Sequence, residues 1–373
     1  MKILFIGGGS GGHFFPLIAV AERVNDLIEE EKILGAKLYY MAPEPYDKNA
    51  LVENNIRYRY IPAGKMRIYF SIRNFFDMIK TFFGILGAVV KVFFLMPDVI
   101  FSKGGYASFP VLLAARLFRI PVVMHESDTV PGRVNIWASR FAVRAAVSFG
   151  EAAEYFPKEK VAVTGQPIRK SLMKVSTEGG HEYLNLDPTI PVVWVVGGSQ
   201  GAQIINNAIL DALPELLNSY QVVHQTGMKN FEEVSGEASI ILEKHPYKAR
   251  YKPLNFLNPL ATRMVAGISD VVISRSGSMV FEIAQWEIPA IVIPYAISHG
   301  DHQKHNAYAF ARSGAGVVIE EANLTPTVLL EETERILTDE SVRLAMIDGA
   351  RKFATPQAAD VIAREIVDIA LNH

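Results

Sequence analysis

Twice in the sequence, a short apolar run leads directly into a glycine-rich loop. The first run ends at Ile6 and is followed by residues 7–12, and the second, Val192–Val196, is followed by residues 197–202. Such a run is typical of a strand buried on both faces of a parallel sheet, and glycines after it let the backbone turn into a helix. The sequence therefore predicts two α/β halves, each opening with a strand, a loop and a helix.

Further short β-rich runs follow in each half, and a turn-rich segment at residues 161–167 separates the two series. We therefore predict two Rossmann-like, doubly wound parallel-sheet domains facing a central cleft, with ligands at the carboxyl ends of the strands. The predicted domains are residues 1–165 and 166–351, and a last helix within residues 352–373 is able to pack back on the first. The predicted strands are residues 3–6, 37–41, 99–102, 121–124, 192–196, 221–225, 271–274, 290–294 and 316–319.

The overall charge and the absence of cysteine exclude several classes of function. The net charge of −2 over 373 residues gives no broad basic surface for nucleic acid. Without cysteine there are no disulfides, thiolate nucleophiles or Cys-based zinc sites. The apolar run at the N-terminus is too short for a signal peptide, and no stretch approaches the roughly 18 uncharged apolar residues of a spanning helix. We expect a protein on the cytoplasmic side.

The first glycine loop has the spacing of a nucleotide-binding motif. Gly7, Gly9 and Gly12 match G-x-G-x-x-G, although a single match also fits a turn needed only for packing. His13 stands where the helix begins, a position suited to acid–base chemistry. The second loop again places glycines, with Ser199, between an apolar strand and a helix. Two such loops, one in each half, indicate two ligands that both carry pyrophosphate rather than a single NAD. An NAD-dependent oxidoreductase remains an alternative, and it would use an acid such as Glu44 for the ribose.

A third loop, at residues 274–278, precedes a helix that contains Glu282. A carboxylate one turn into such a helix can accept both hydroxyls of a ribose. A lone glutamate is more often a solvated helix charge, but the apolar neighbours Phe281 and Ile283 favour a partly buried Glu282 with a partner.

These motifs, in this order, resemble the MurG family of GT-B glycosyltransferases. The resemblance spans residues 8–307, most of the chain. It rests on residues 8–13 with Pro16, residues 103–106, His125-Glu126, residues 164–169, residues 197–202, residues 224–227, residues 274–277 with Glu282, and Gln303 with Asn306-Ala307.

The resemblance implies an inverting transfer of N-acetylglucosamine (GlcNAc) from UDP-GlcNAc to the C4 hydroxyl of MurNAc in undecaprenyl-pyrophosphoryl-MurNAc-pentapeptide (lipid I). The product is lipid II for peptidoglycan synthesis, and hence for cell shape and division. The implied donor-binding residues are Arg169, Ser199, Gln200, Phe256, Arg275, Ser278, Glu282 and Gln303. The implied acceptor-binding residues are Ser10, Gly11, Gly12, Tyr106, His125 and Asp128.

His13 is the first candidate for the base that takes the acceptor proton, because the pKa of an unperturbed histidine, about 6.5, suits that task. An alternative is that His13 only hydrogen-bonds the acceptor pyrophosphate, and Glu126 is the second candidate base. No D-x-D sequence occurs, so neither a metal nor another cofactor is expected. A metal site formed by Asp301 and neighbouring histidines is the poorer interpretation, because positions i and i+6 do not share a helix face. Those histidines are His299, His302 and His305.

Residues 66–96 are unusually aromatic and are interspersed with lysine and arginine. Their longest uncharged run has about ten residues, which favours a helix lying in the membrane interface over one crossing it. Anionic inner-leaflet lipid is the expected partner, and the enzyme is expected to be peripheral on the cytoplasmic face of the membrane. The predicted exposed patch is Tyr69, Phe70, Phe75 and Phe76, whereas Phe82, Phe83, Phe93 and Phe94 are expected in the core.

The chain departs from the family pattern in three places. Asp128 replaces an amide, Lys304 stands where some relatives have a second amide, and the loop at residues 277–282 is one residue shorter than in some relatives. These departures leave open a GT-B transferase with another nucleotide sugar or lipid acceptor. A module that binds the sugar nucleotide without turnover is a further alternative.

Overall fold

A computed structural model describes residues 1–65, 72–198 and 201–372 of the chain. The chain divides into two compact units, Met1–Arg169 with Thr355–His373, and Lys170–Ala354. Each unit contains one sheet whose paired strands are all parallel, which confirms the predicted α/β class with two Rossmann-like sheets.

The sheet of the first unit has seven strands in the order β3-β2-β1-β4-β5-β6-β7. The strand order reverses between β1 and β4, and ligands of doubly wound sheets bind at such a switch point. The strands are β1 (Lys2–Ile6), β2 (Lys37–Ala42), β3 (Ile56–Tyr60), β4 (Val99–Ser102), β5 (Val122–Glu126), β6 (Arg144–Val147) and β7 (Val161–Val163).

Alternate residues of β1 belong to two different hydrophobic clusters. Ile3 and Phe5 belong to one, and Leu4 and Ile6 to the other. Because successive side chains of a strand point to opposite faces, the sheet is covered on both sides. The helices before residue 170 are α1 (Gly11–Glu30), α2 (Lys48–Glu53), α3 (Ile72–Leu95), α4 (Phe109–Phe118) and α5 (Arg133–Ala138), with a 3-10 helix at Gly150–Tyr155.

The sheet of the second unit has six strands in the order β10-β9-β8-β11-β12-β13, so its switch point lies between β8 and β11. Its strands are β8 (Val192–Val196), β9 (Gln221–Gln225), β10 (Tyr251–Leu254), β11 (Val271–Ser274), β12 (Ala290–Val292) and β13 (Gly316–Val318). Its helices are α6 (Gly180–Leu184), α7 (Gln203–Ser219), α8 (Phe231–Ile241), α9 (Pro259–Ile268), α10 (Met279–Gln285), α11 (His302–Arg312), α12 (Pro326–Thr338) and α13 (Glu340–Phe353). Short 3-10 helices lie at Lys170–Leu172, Lys248–Arg250, His299–Asp301 and Glu321–Asn323.

The last helix, α14 (Ala358–Asn372), belongs to the first unit. Ile362 and Ile366 join the hydrophobic cluster that contains Ile3. The Asp360 carboxylate accepts a hydrogen bond of 2.5 Å from Nε of Arg23 in α1. The first unit is therefore completed by the final residues of the chain.

Candidate functional site

Two loops meet at the switch point of the first unit. One is the glycine loop at residues 7–12, which follows β1, and the other is the loop at residues 103–106, which follows β4. The left-handed backbone of Gly9 (φ 94°) suits glycine. A Cβ on Gly9 would lie 2.9 Å from Cε1 of Tyr106, so only glycine allows this close approach of the two loops.

His13 lies in the first turn of α1, between the two loops. Its Nδ1 is 3.1 Å from Oγ of Ser10, the N-cap residue of α1. A Cβ on Gly105 would lie 3.7 Å from Cε1 of His13 and 3.8 Å from its Nε2, so the imidazole edge faces this glycine. The structure therefore brings together the predicted residues Ser10, His13 and Tyr106, with Gly11 and Gly12 opening the helix between them.

Aromatic residues lie beside the start of α1. The Phe15 ring packs edge-on against Tyr46, with 5.6 Å between the ring centroids. The guanidinium carbon of Arg169 lies 3.8 Å from the centroid of the Phe15 ring, within the range of a cation–π contact. Arg169, a predicted donor-binding residue, is the last residue of the first unit before the second begins. The sequence analysis did not single out Phe15 or Tyr46.

Glu126, at the end of β5, is a buried carboxylate that accepts hydrogen bonds on both oxygens. Oε1 accepts from the backbone N–H groups of Ser127 (2.8 Å) and Asp128 (3.1 Å). Oε2 accepts from the backbone of Gly132 (3.0 Å) and from the Asn135 amide (2.8 Å). Burial and the charge of Asp128 raise the pKa of Glu126, while these hydrogen bonds act to lower it. This arrangement fixes the loop after β5.

His125 is fully buried beside Lys103. Its Nε2 lies 3.0 Å from the carbonyl oxygen of Gly165 and therefore carries the proton, which leaves Nδ1 to accept from Lys103 Nζ at 2.5 Å. Burial and the nearby Lys103 lower the pKa of His125 well below its usual value. The imidazole is therefore neutral, and both its nitrogens are bonded within the protein.

In the second unit, the corresponding loop after β8 leads to the N-terminus of α7. A Cβ on Gly201, where φ is 74°, would lie 2.2 Å from the carbonyl oxygen of Thr226, so glycine is required where this loop meets the residue after β9. The predicted donor-phosphate residues Ser199 and Gln200 lie outside the described residues. The described part of the loop still ends at a helix N-terminus, where backbone N–H groups favour an anion.

The loop after β11 is fixed by residues of α11. The Ser276 hydroxyl donates to the backbone carbonyl of Gln303 at 2.7 Å, and the Asn306 amide donates to the carbonyl of Ser276 at 3.1 Å. Oε1 of Gln303 accepts from the backbone N–H of Tyr295 at 3.1 Å. This contact orients the side-chain amide of Gln303, the predicted sugar-binding group, at the carboxyl edge of the sheet.

Glu282 and Ser278 lie next along this segment, at the start of α10. Ser278 is the N-cap residue, and Glu282 is half-buried within the first turn. Phe256 follows β10 at the same edge of the parallel sheet, and its side chain is 50% exposed. An exposed aromatic ring at a strand end is suited to stacking on a base.

The predicted donor-binding residue Arg275 and the nearby Lys304 are each paired with a glutamate. Nη1 of Arg275 lies 2.6 Å from Oε1 of Glu321 and donates to the carbonyl of Ile293 at 3.1 Å. Nζ of Lys304 lies 2.9 Å from the carboxylate of Glu320. The sequence analysis missed both glutamates, since nothing in their local pattern distinguishes them from surface charges. Among the described residues, no group of three or more His, Cys, Asp or Glu side chains is placed to hold a metal ion.

One side of α3 presents apolar residues to solvent, and we call this surface the α3 face. The prediction that Phe82, Phe83, Phe93 and Phe94 lie in the core is wrong, because they are 55–79% exposed. Small residues face the domain instead: a Cβ on Gly84 would lie only 2.0 Å from the carbonyl oxygen of Pro62. The α3 face comprises Phe75, Phe76, Ile79, Phe82, Phe83, Leu86, Val90, Phe93 and Phe94.

Phe75 and Phe76 are exposed as predicted, whereas Tyr69 and Phe70 lie outside the described residues. Within α3, Phe75–Leu95 has 21 residues and a mean hydropathy of 1.9, long and apolar enough to cross a membrane by length and composition. This segment contains Asp77, Lys80 and Lys91, so it meets the criterion by mean hydropathy and not as an uncharged run, and the longest uncharged run is still residues 81–90. The other side of the helix is committed to the protein, because Ala88 and Val92 are fully buried in the domain core.

Comparisons with known proteins identify the family of the chain. The chain matches the glycosyltransferase family 28 N-terminal domain over residues 3–147 and the family 28 C-terminal domain over residues 192–362. The chain belongs to glycosyltransferase family 28. A family relative from Bacillus cereus is named UDP-N-acetylglucosamine--N-acetylmuramyl-(pentapeptide) pyrophosphoryl-undecaprenol N-acetylglucosamine transferase 2. It is 37% identical over 338 residues, 90% of this chain and 91% of the relative.

Two further relatives confirm the predicted resemblance to MurG within family 28. A Clostridium novyi N-acetylglucosamine transferase of the same name, without the number, is 34% identical over 343 residues, 91% of each chain. The crystal structure of MurG from Acinetobacter baumannii superposes with a TM-score of 0.71 at 25% identity, covering 98% of this chain and 99% of that one. Membership of family 28 decides against the NAD-dependent oxidoreductase.

Proposed function

We propose that this family 28 enzyme transfers GlcNAc from UDP-GlcNAc to the C4 hydroxyl of MurNAc in lipid I, with inversion, and so forms lipid II. The first unit takes the lipid-linked acceptor and the second takes the donor. Family membership over about nine-tenths of the chain supports this assignment. The placement of His13 against the switch-point loops of the first unit is the observation that carries it.

The acceptor side has the parts that an inverting transfer needs. If Nδ1–H of His13 donates to Ser10 Oγ, then Nε2, which faces Gly105, is the nitrogen that accepts a proton. The C4 oxygen gives its proton to Nε2 and bonds to C1 of GlcNAc, while the C1–O bond to UDP breaks and its electron pair leaves with UDP. We assign Glu126 and His125 positioning roles, because their polar atoms are bonded within the protein.

The donor side binds UDP-GlcNAc through groups at the carboxyl edge of the second sheet. Glu282 accepts hydrogen bonds from the ribose hydroxyls, and Phe256 stacks against the uracil. The Gln303 amide hydrogen-bonds the GlcNAc hydroxyls. Ser278 and the N-terminus of α7, with Ser199 and Gln200, stabilise the pyrophosphate charge of the leaving UDP. Arg275 acts by fixing this edge through its ion pair with Glu321. Arg169 belongs to the first unit, where its guanidinium packs on the Phe15 ring.

The α3 face docks the enzyme on the cytoplasmic face of the membrane, where a lipid-linked acceptor is presented. Its side toward the protein packs in the domain core, so the helix lies in the interface and the protein is peripheral. Lys80 and Lys91 are exposed on the same helix and favour anionic lipid. Tyr69 and Phe70, which precede α3 in the sequence, lie outside the described residues.

Release of UDP from UDP-GlcNAc by the purified protein tests the function, with and without a lipid I analogue, in EDTA. We expect release that depends on the acceptor and persists in EDTA. Binding of UDP-GlcNAc without acceptor-dependent release would instead indicate a non-catalytic module or a different acceptor. Competition by unlabelled UDP-glucose and UDP-GalNAc against labelled UDP-GlcNAc tests the rival donors, and we expect UDP-GlcNAc to be preferred.

A further inference from the structure

Lys103 is a buried lysine that no step of the proposed mechanism uses. Only 2% of the residue is exposed. Its Nζ contacts Nδ1 of His125 and donates to Oγ of Ser127. A lysine is almost never buried so completely without a specific partner, because its charge loses hydration.

The hydrogen bonds around Lys103 form a chain with consistent donors and acceptors. Since Nε2–H of His125 donates to Gly165, Nδ1 must accept, and Lys103 supplies the proton. The Ser127 hydroxyl then donates to Oε1 of Gln166 at 2.9 Å, as the Ser148 hydroxyl also does. Lys103 therefore organises polar groups from the ends of β4, β5 and β7.

Lys103 also stands at the start of the loop that faces His13. Its backbone N–H donates to the carbonyl of Ile6 at 2.9 Å, and a Cβ on Gly7 would lie 3.1 Å from its own Cβ. Two residues further on, Gly105 faces the His13 imidazole, and the next residue, Tyr106, leaves no room for a Cβ on Gly9. The Lys103 side chain thus ties this loop to the loop that Glu126 organises after β5.

We infer that Lys103 is a positioning residue of the transferase: through His125 and Ser127 it holds Gly105 and Tyr106 in place beside His13 for the acceptor. The inference rests on the proposed function. A buried positive charge beside two glycine loops also favours an acceptor that carries pyrophosphate. Donor binding depends on the second unit and is not part of this role.

Electrostatics gives this role a pH dependence that a purely structural side chain lacks. Burial lowers the pKa of Lys103 to about 7, against the raising effect of the Glu126 and Asp128 charges. His125, the other titratable group in contact, stays neutral. Below about pH 7 the lysine is charged, and above it the attraction for an anionic acceptor is lost.

The test compares Lys103→Met, which keeps the volume of the stem, with the wild-type enzyme at pH 6 and pH 8. We expect the acceptor KM of Lys103→Met to rise about tenfold at pH 6, with the donor KM within twofold. The wild-type acceptor KM should rise between pH 6 and 8 more steeply than that of the variant. Lys2→Met is the matched control: Lys2 Nζ donates to the Leu95 carbonyl at the opposite end of the sheet, so both KM values should stay unchanged.

An acceptor KM of Lys103→Met within twofold of wild type, or parallel pH profiles, would overturn the inference. If Lys103→Met does not fold by circular dichroism, Ser127→Ala provides the test, with an expected acceptor-specific rise of about threefold. An unchanged acceptor KM in a folded Ser127→Ala would then overturn it. Absence of acceptor-dependent transfer by the wild type would instead refute the proposed function, and the two failures are therefore distinct.

Discussion

The hydroxyl oxygen of Ser10 lies 3.1 Å from Nδ1 of His13, one turn apart at the start of α1. If Nδ1–H of His13 donates across this contact, Nε2 is left as the base. Because Ser10 stands at the N-cap position and its hydroxyl contacts the imidazole, changes at Ser10 should affect catalysis through His13. The acceptor side of the enzyme therefore depends on the geometry of a single helix turn.

Replacing His13 with alanine should lower kcat by about 10²–10⁴-fold, the contribution typical of general acid–base catalysis. Ser10→Ala should lower kcat by a smaller factor, about tenfold, since the base remains but its tautomer is no longer fixed. Steady-state UDP release with saturating donor and acceptor measures both. If His13 only binds the acceptor pyrophosphate, His13→Ala would raise the acceptor KM and leave kcat nearly unchanged.

Much of the fold follows from the sequence because the central strands are buried on both faces. Val99–Ser102, Val192–Val196, Gln221–Gln225 and Val271–Ser274 were predicted with the bounds that the structure gives. The strands β3, β6, β7 and β10 were missed, and β3, β7 and β10 lie at a sheet edge. An edge strand tolerates charges and proline, as in the sequences Ile-Arg-Tyr-Arg-Tyr and Tyr-Lys-Pro-Leu, so the apolar signal is lost. The interior strand β6, Arg-Ala-Ala-Val, was missed because two of its four residues are alanine, which is depleted in strands.

The candidate site was predictable where backbone geometry demands glycine and not where buried side chains pair. The first glycine loop led to His13, and the family resemblance added Ser10 and Tyr106. The network around Lys103 depends on distances between separate strand ends, which local sequence does not encode. The exposed side of α3 was misjudged for a related reason: aromatic residues of a mostly apolar helix are normally buried, and the small residues Gly84 and Ala88 give the local signal of its inner side.

Introducing a charge into the α3 face should release the enzyme from anionic membranes without unfolding it. Phe82→Glu and Phe83→Glu each remove an exposed aromatic ring, 59% and 60% exposed, and add charge of the wrong sign. We expect about tenfold weaker binding per substitution, from lost burial of the ring and repulsion by the lipid. Cosedimentation with phosphatidylglycerol–phosphatidylcholine vesicles measures this binding.

The matched control for this membrane test is Ile240→Glu, a substitution at a 78% exposed position of α8 in the second unit. Its vesicle binding should equal that of the wild type. Thermal unfolding should be unchanged in all three variants, because the residues are exposed. Equal binding of wild type and both Phe variants would show that α3 is not the docking surface.

Substitutions at two neighbouring residues of α11 should differ in their effect on the KM for the donor. Gln303→Glu keeps an oxygen for the Tyr295 N–H but removes the amide donor, so the donor KM should rise about tenfold or more. Lys304→Gln should change the donor KM less than threefold, because the ammonium is paired with Glu320 at the surface. Initial rates over a range of UDP-GlcNAc concentrations measure both. A large effect of Lys304→Gln would mean that this departure from the family pattern does alter sugar binding.

The buried His224 should make the second unit sensitive to acid. Nε2–H of His224 donates to Oδ1 of Asn206 at 3.1 Å, and Nδ1 accepts from the Tyr251 hydroxyl at 2.9 Å, so the ring is held neutral. Burial lowers its pKa from 6.5 to about 3. As the pH falls below 6.5 the unfolded chain takes up a proton that the folded chain refuses, and stability is lost progressively down to about pH 3.

Between pH 6.5 and 5 this residue alone should cost about 2 kcal/mol of unfolding free energy, from about 1.4 kcal/mol per pH unit. Urea unfolding followed by the fluorescence of Trp194 and Trp286, which stack 5.7 Å apart in the same unit, measures the change in a Trp137→Phe background. His224→Gln keeps a donor and an acceptor but cannot titrate. The unfolding free energy of this variant should therefore fall less steeply than that of the wild type as the pH is lowered, whatever its value at pH 6.5. If the unfolding free energies of the wild type and His224→Gln change with pH in parallel, the neutral imidazole is not the source of the acid sensitivity. Protonation elsewhere in the unit would then govern it.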